Sequence, residues 1–288
     1  MPSCTNDDAG RELKGFLTVY AAVCDEAAYP LNSEHGLSLL LVDGYDPPYV
    51  LFDAGATPRT LGLNLAMLGV ALEDIGAIVL SHGHSDHTDG LTAFNVRKLT
   101  PQVFVHPQFR RKRYVMSSEG AMYMGIGSDL CIGALRLSYV ESTTRILPGI
   151  WAIHPIPAVT PFERTDEPFC LDTDGVVPDN FIDEIALVAE SPVGLVVLAG
   201  CCHRGIINTL EAVRAFRPTE KIAAVIGGLH LRHASEERIL ATGVALRDFD
   251  VGEVITGHCT GRKAYTLLSE VLGDRLDRLE AGGVWDFY

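Results

Sequence analysis

Ala77-Ile78-Val79-Leu80-Ser81-His82-Gly83-His84-Ser85-Asp86-His87 couples a short apolar run to three imidazoles and a carboxylate crowded into six positions. The run Ala77 to Leu80 reads as a buried strand. The histidine-rich loop after it is hard to explain as packing, because each buried imidazole needs a partner and neighbouring imidazoles gain little from one another without a cation. Alternate side chains of an extended segment share a face, so His82, His84 and Asp86 converge on one side. A turn into a helix then brings His87 back toward the same point. The spacing points to two adjacent metals, with His82 and His84 on one and Asp86 and His87 on the other.

Strands and helices alternate on both sides of this segment. Gly15 to Val23, Leu37 to Asp43 and Tyr49 to Asp53 read as strands, the last two joined as a hairpin through Gly44-Tyr45-Asp46-Pro47-Pro48. Pro58 to Leu68 has helical periodicity, with Thr57 as N-cap and Gly69 as its stop. Gln102 to Val105 is a further strand. Arg110 to Leu130 lacks a clean period and carries Met116, Met122 and Met124, which suits an insertion at the substrate site spanning about 107–135. Several short strands are expected from Arg136 to Pro157, and Pro161 to Asn180 is expected to be irregular. Ile185 to Glu190 and Gly194 to Ala199 read as paired strands that deliver Gly200-Cys201-Cys202-His203. Helices are expected at Ile206 to Phe216 and Ser235 to Arg247. Strands are expected at Lys221 to Ile226 and Gly252 to Thr256, the second delivering Gly257-His258. Candidate ligands thus fall where strands end, the pattern of an α/β two-sheet sandwich covered by helices with its site at one edge. With no repeat, low-complexity tract or composition break, residues 1–288 read as one domain.

Composition narrows the function. Hydrophobic residues make up 47% and charged residues 21%, ordinary for a globular protein, and no stretch approaches the ~20 apolar residues of a membrane span. A formal net charge of −14 argues against a nucleic-acid surface. Arg110-Arg111-Lys112-Arg113 is the local exception, either a solvated face or a contact for an anionic substrate. Seven cysteines without regular spacing do not form a disulfide framework, and Met1 to Gly10 lacks the features of a secretory signal. A reducing, cytoplasmic setting is the expectation, and a homo-oligomer is compatible with it.

Further motifs run in order along the chain: Glu34-His35-Gly36-Leu37, Leu51-Phe52-Asp53-Ala54-Gly55, Gly200-Cys201-Cys202-His203-Arg204-Gly205, Gly227-Gly228-Leu229-His230-Leu231 and Gly257-His258-Cys259-Thr260-Gly261. With Ser81 to Leu91 they resemble the metallo-β-lactamase superfamily, and more narrowly its branch named after 7,8-dihydropterin-6-methyl-4-(β-D-ribofuranosyl)aminobenzene 5′-phosphate synthase. The resemblance implies an αβ/βα sandwich of two mixed sheets flanked by helices. It implies that His258 is the superfamily's last ligand histidine and that Asp53 is its buried aspartate, which orients ligands. Two departures stand out. Thr160-Pro161-Phe162-Glu163 occupies the place of a histidine-bearing turn, and Gly200-Cys201 that of a bridging aspartate. The branch implies that His203 replaces the missing histidine, while Cys201 is a candidate bridging thiolate. His35 and His230 are candidate substrate or proton-donor groups.

The expected function is a metal-dependent hydrolase of a small anionic molecule. Its cofactors would be two divalent metal ions, zinc first and iron or manganese next. Asp86 would orient the attacking water, and His203, His230 or His35 would protonate the leaving group. Arg204, at the start of a helix with free backbone N–H groups, would meet the substrate's charge. The alternatives are a transferase joining a dihydropterin diphosphate to a ribosylaminobenzene phosphate, and a non-catalytic metal-binding sensor.

Overall fold

The strand Ser38–Asp43 shows how the layers arise. Leu39 and Leu41 pack into one hydrophobic cluster and Leu40 into another, as a period of two requires when both faces are covered. The computed structural model describes residues 16–44, 46–163 and 167–288 and contains two seven-stranded sheets. The first runs, in spatial order, Val284–Phe287, Leu17–Val23, Ser38–Asp43, Tyr49–Phe52, Ile75–Val79, Gln102–Val105 and Arg136–Tyr139. The second runs Leu276–Arg278, Glu253–Thr256, Ile222–Gly227, Gly194–Ala199, Ala186–Ser191, Ile150–Ile153 and Thr144–Leu147. Gly15, Tyr45 and Met1 to Gly10 lie outside the described residues.

The two sheets share an interior to which Leu39, Phe52 and Val79 contribute from one side and Leu187, Leu198 and Ile226 from the other. The outer face of the first sheet packs Leu40, Leu51 and Ile78 on Leu61, Leu65 and Phe94 of the helices Pro58–Met67 and Thr92–Arg97. The outer face of the second packs Val197, Val225 and Val254 on Leu210, Ile239 and Leu268. Those residues belong to the helices Ile206–Phe216, Glu236–Asp248 and Arg262–Leu272. The result is a four-layer αβ/βα sandwich. Both sheets are mixed. In each, four neighbouring strands run parallel, from Tyr49–Phe52 to Arg136–Tyr139 and from Gly194–Ala199 to Leu276–Arg278. Among the described residues no helix is long and apolar enough to cross a membrane.

Local chemistry sets the boundaries. Thr57 accepts the amide of Thr60 ahead of Pro58, and Ser235 accepts that of Arg238. Pro161 to Asn180 is not wholly irregular: Phe169–Cys170 pairs with Tyr114–Ser117, which forms a hairpin with Gly120–Tyr123. This small third sheet is the framework of the segment read as an insertion.

Arg113 corrects the reading of the basic cluster. Its side chain is 1% exposed, 2.6 Å from Asp183 and 3.3 Å from Asp179, so Arg110 to Arg113 is not one basic face. A cation so placed is held by buried carboxylates and is not offered to solvent or substrate. Arg113→Met would leave those carboxylates without their partner. It should destabilise the fold by about 3–5 kcal/mol, measured by urea denaturation at fixed metal content. A shift below 1 kcal/mol would show that the pair contributes little.

Candidate metal centre

The parallel strand Ile75–Val79 ends at the loop carrying the histidines. Ser81 donates its amide to Asp53 Oδ1 and its hydroxyl to Asp53 Oδ2, both at 2.7 Å, and its carbonyl accepts the amide of Ile185, just ahead of the second-sheet strand Ala186–Ser191. Gly83 passes so close to the carbonyl of Phe109 that a Cβ would stand 1.9 Å from that oxygen. The single helical turn Ser85–Thr88 then swings His87 back beneath His82.

Two sets of donors result. The ligand atoms of His82, His84 and His203 lie within 4.8 Å of one another, and so do those of Asp86, His87 and His258. In the first set His82 Nε2 and His84 Nδ1 are 3.0 Å apart. In the second, Asp86 Oδ2 is 3.6 Å from His87 Nε2 and 3.5 Å from His258 Nε2. Cys201 Sγ lies 3.1 Å from His87 Nε2 and 3.4 Å from His258 Nε2, and it also groups with His82. Such spacings suit nitrogen, oxygen and sulfur atoms each about 2.0–2.3 Å from a shared ion.

The outward-facing nitrogens are tied down. His87 Nδ1 meets Asp53 Oδ2 at 2.7 Å, His258 Nδ1 meets Asp25 Oδ1 at 2.6 Å, and His82 Nδ1 meets Ser81 Oγ at 2.8 Å. Partners of this kind fix ring orientation and tautomer. His203 is positioned differently. Its ring lies flat on Phe181 at 3.7 Å, while Glu184 accepts the backbone amides of His203 and Arg204 at 2.6 and 2.7 Å. Asp53, Phe181, Cys202, His230 and His258 all have φ between 47° and 60°, a left-handed conformation that costs free energy in non-glycine residues. Asp25, Ser81 and Glu184 were not singled out by sequence reasoning. Only Ser81, beside the motif, carried a local signal.

The electrostatics fit a cation. His84 Nε2, Asp86 Oδ1 and both ring nitrogens of His203 are buried without hydrogen-bond partners. Burial drives the His82 and His203 imidazoles well below their ordinary range and His84 down to about 3, leaving neutral rings with lone pairs to donate. For Asp86 burial acts upward, but His87 and the other imidazoles outweigh it and bring the carboxyl to about 2. His87 is pushed up to about 9, because the carboxylates of Asp86 and Asp53 outweigh its burial. A proton there stands in for the positive charge that a bound ion would supply.

The remaining candidates occupy other places. His35, with 56% of its side chain exposed, reaches Asp25 at 3.1 Å and Asp86 at 3.5 Å. His230 is buried beside Cys259 and Cys201. Arg204 donates to the carbonyls of Ile156 and Asn180 at 2.7 Å each, so part of its guanidinium is engaged with backbone. The expectation that the adjoining helix offers free amides to an anion fails: Glu163 already accepts those of Ile207 and Asn208, each at 2.8 Å. Next to His203 lies a cavity of about 780 Å³ lined by Met116, Phe169, Phe181, Glu167 and Arg204.

A family model described as the metallo-beta-lactamase superfamily matches residues 36–258. The chain is 31% identical over 285 residues to the 7,8-dihydropterin-6-methyl-4-(beta-D-ribofuranosyl)-aminobenzene-5'-phosphate synthase of Methanocaldococcus jannaschii, covering 94% of this chain and 97% of that one. A solved structure, Tm1679, described as a metal-dependent hydrolase of the beta-lactamase superfamily, matches with a TM-score of 0.81 at 28% identity over 93% of this chain and 98% of its own. Unliganded yeast PDE1 shares the fold at a TM-score of 0.58 and 11% identity, over 95% and 100% of the two chains.

Among the described residues, the Asp53 carboxylate reaches the site through Ser81 and His87. Asp53→Asn should therefore lower turnover by about 10- to 100-fold while removing proportionately less metal. Parallel metal analysis and kinetics check this, and complete metal loss at normal folding would contradict it.

Proposed function

This chain belongs to the metallo-β-lactamase superfamily, and from that membership we propose that it is a metal-dependent hydrolase of a small anionic molecule. The observation that carries the reading is the pair of three-donor sets, His82, His84, His203 and Asp86, His87, His258, with the Cys201 sulfur against the second. His82, His84 and His203 would hold one dication, and Asp86, His87, His258 and Cys201 the other. Nitrogen donors dominate, which favours zinc, with iron or manganese as alternatives. When bound, such ions polarise a substrate oxygen and lower the pKa of water.

The protein's own groups do the rest. Asp86, with Oδ1 unpartnered, orients the attacking water. His35, half exposed and within 3.5 Å of Asp86, delivers a proton to the leaving group. The cavity beside His203 takes the substrate's apolar portion against Met116, Phe169 and Phe181, where Arg204 contributes positive charge and Glu167 negative. The substrate's anionic group therefore belongs at the ions, where charge is best compensated. The acidic chain and this site are consistent with a small-molecule substrate and with no nucleic-acid or membrane partner.

A second reading is favoured by the 31% identity to the synthase. In it the same residues stabilise a departing diphosphate, and an aminobenzene acceptor replaces water. Both readings share the departure of an anionic leaving group, so the acceptor decides between them. Incubating the metal-loaded protein in ¹⁸O-water with phosphate esters, lactones and thioesters should give labelled products. Turnover only with a second organic substrate, to an unlabelled condensation product, would replace hydrolysis by transfer. His82→Ala and His258→Ala should each lower metal content and reduce turnover by more than the roughly 10- to 100-fold typical of an outer partner. Full metal content in both variants would overturn the assignment of the site.

A further inference from the structure

Cys201 belongs to a second cluster. Its sulfur, the sulfur of Cys259 and a ring nitrogen of His230 lie within 4.8 Å of one another, and all three residues are buried. Three adjacent parallel strands each deliver one of them: Gly194–Ala199 leads to Cys201, Ile222–Gly227 to His230, and Glu253–Thr256 to Cys259.

Several features set this cluster apart from cysteines that merely fill a core. His230 is 9% exposed, yet neither ring nitrogen makes a hydrogen bond of acceptable geometry, although Glu167 Oε1 stands 3.4 Å from Nε2. Gly228 leaves room for the sulfur: a Cβ there would come within 2.4 Å of Cys259 Sγ and 2.7 Å of the Gly200 carbonyl. Cys202, by contrast, packs among Ile206, Leu210 and other apolar side chains.

Two sulfurs and an imidazole are the donors of a soft or borderline cation such as zinc, ferrous iron or cuprous copper, and they disfavour magnesium and calcium. We propose that Cys201, His230 and Cys259 form a third metal site, adjoining the two histidine-rich sets and sharing the Cys201 thiolate with the Asp86, His87 and His258 set. Loading the otherwise metal-free protein would release both thiol protons to solvent, and only that of Cys259 where Cys201 is already a thiolate on the neighbouring ion, since the thiolate is the binding form. Glu167 would orient the histidine from the edge of the cluster. The proposal stands on this cluster's own geometry and extends the two-ion reading without requiring it.

The test is anaerobic reconstitution of the full-length protein with cobalt(II), then metal analysis and near-ultraviolet absorption. Wild type should take up one more ion per chain than Cys259→Ser, and His230→Gln should show the same deficit. The thiolate-to-cobalt band should weaken in Cys259→Ser. His230→Gln also serves as the second variant should Cys259→Ser fail to fold. Equal cobalt content and unchanged spectra in the folded variants would overturn the third site. If wild type binds a single ion that Cys259→Ser removes and His82→Ala retains, the thiolate site stands and the two-ion reading falls. A two-ion loss confined to His82→Ala and His258→Ala, with Cys259→Ser like wild type, would do the reverse.

Discussion

The Asp53 carboxylate is the contact on which the centre depends. Buried and held at φ 60°, it takes the amide and hydroxyl of Ser81 on its two oxygens and His87 on one of them. The Ser81 hydroxyl passes the constraint on to His82, and Ser38 fixes the Asp53 carbonyl. One side chain thereby sets the path of the loop and the orientation of a histidine in each donor set. A buried carboxylate is costly unless every lone pair is used, and here the satisfied network converts that cost into rigidity.

Rigidity at the loop matters because the remaining donors arrive independently. His203, His230 and His258 come after three different strands of the second sheet, and Asp25 after the first strand of the other. The carboxyl ends of neighbouring parallel strands open onto a common edge, where groups distant in sequence meet without any strand having to bend. The left-handed residues at these turns aim side chains back across that edge.

This geometry also governs how much of the site was legible in the sequence. His82, His84, Asp86 and His87 were legible because one strand end and one helical turn place all four, so spacing alone encodes their convergence. Thr57 was equally legible, since capping is local, whereas Ser235, read as the first residue of its helix, is its N-cap. Asp25 was not: it meets His258 across 233 positions, and nothing around it is periodic or distinctive. Glu184 and Asp183 hold the backbone of His203 and Gly83 by the same kind of distant contact. The basic run Arg110 to Arg113 misled because charge in a sequence carries no sign of burial, and the partners of Arg113 lie beyond residue 178. Residues beyond Gly261 offered no chemistry to read, yet Val284–Phe287 completes the first sheet against Leu17–Val23.

The division of the donors between the sheets has a thermodynamic consequence. His82, His84, Asp86 and His87 come from one sheet and His203 and His258 from the other, so an ion held in either set would cross-link the two sheets over a long stretch of the chain. Closing a loop of that length is entropically expensive in an unfolded polymer and already complete in the native state. Binding free energy at the edge would then be folding free energy for the whole sandwich, and resistance to unfolding would become a function of the free-ion concentration around it.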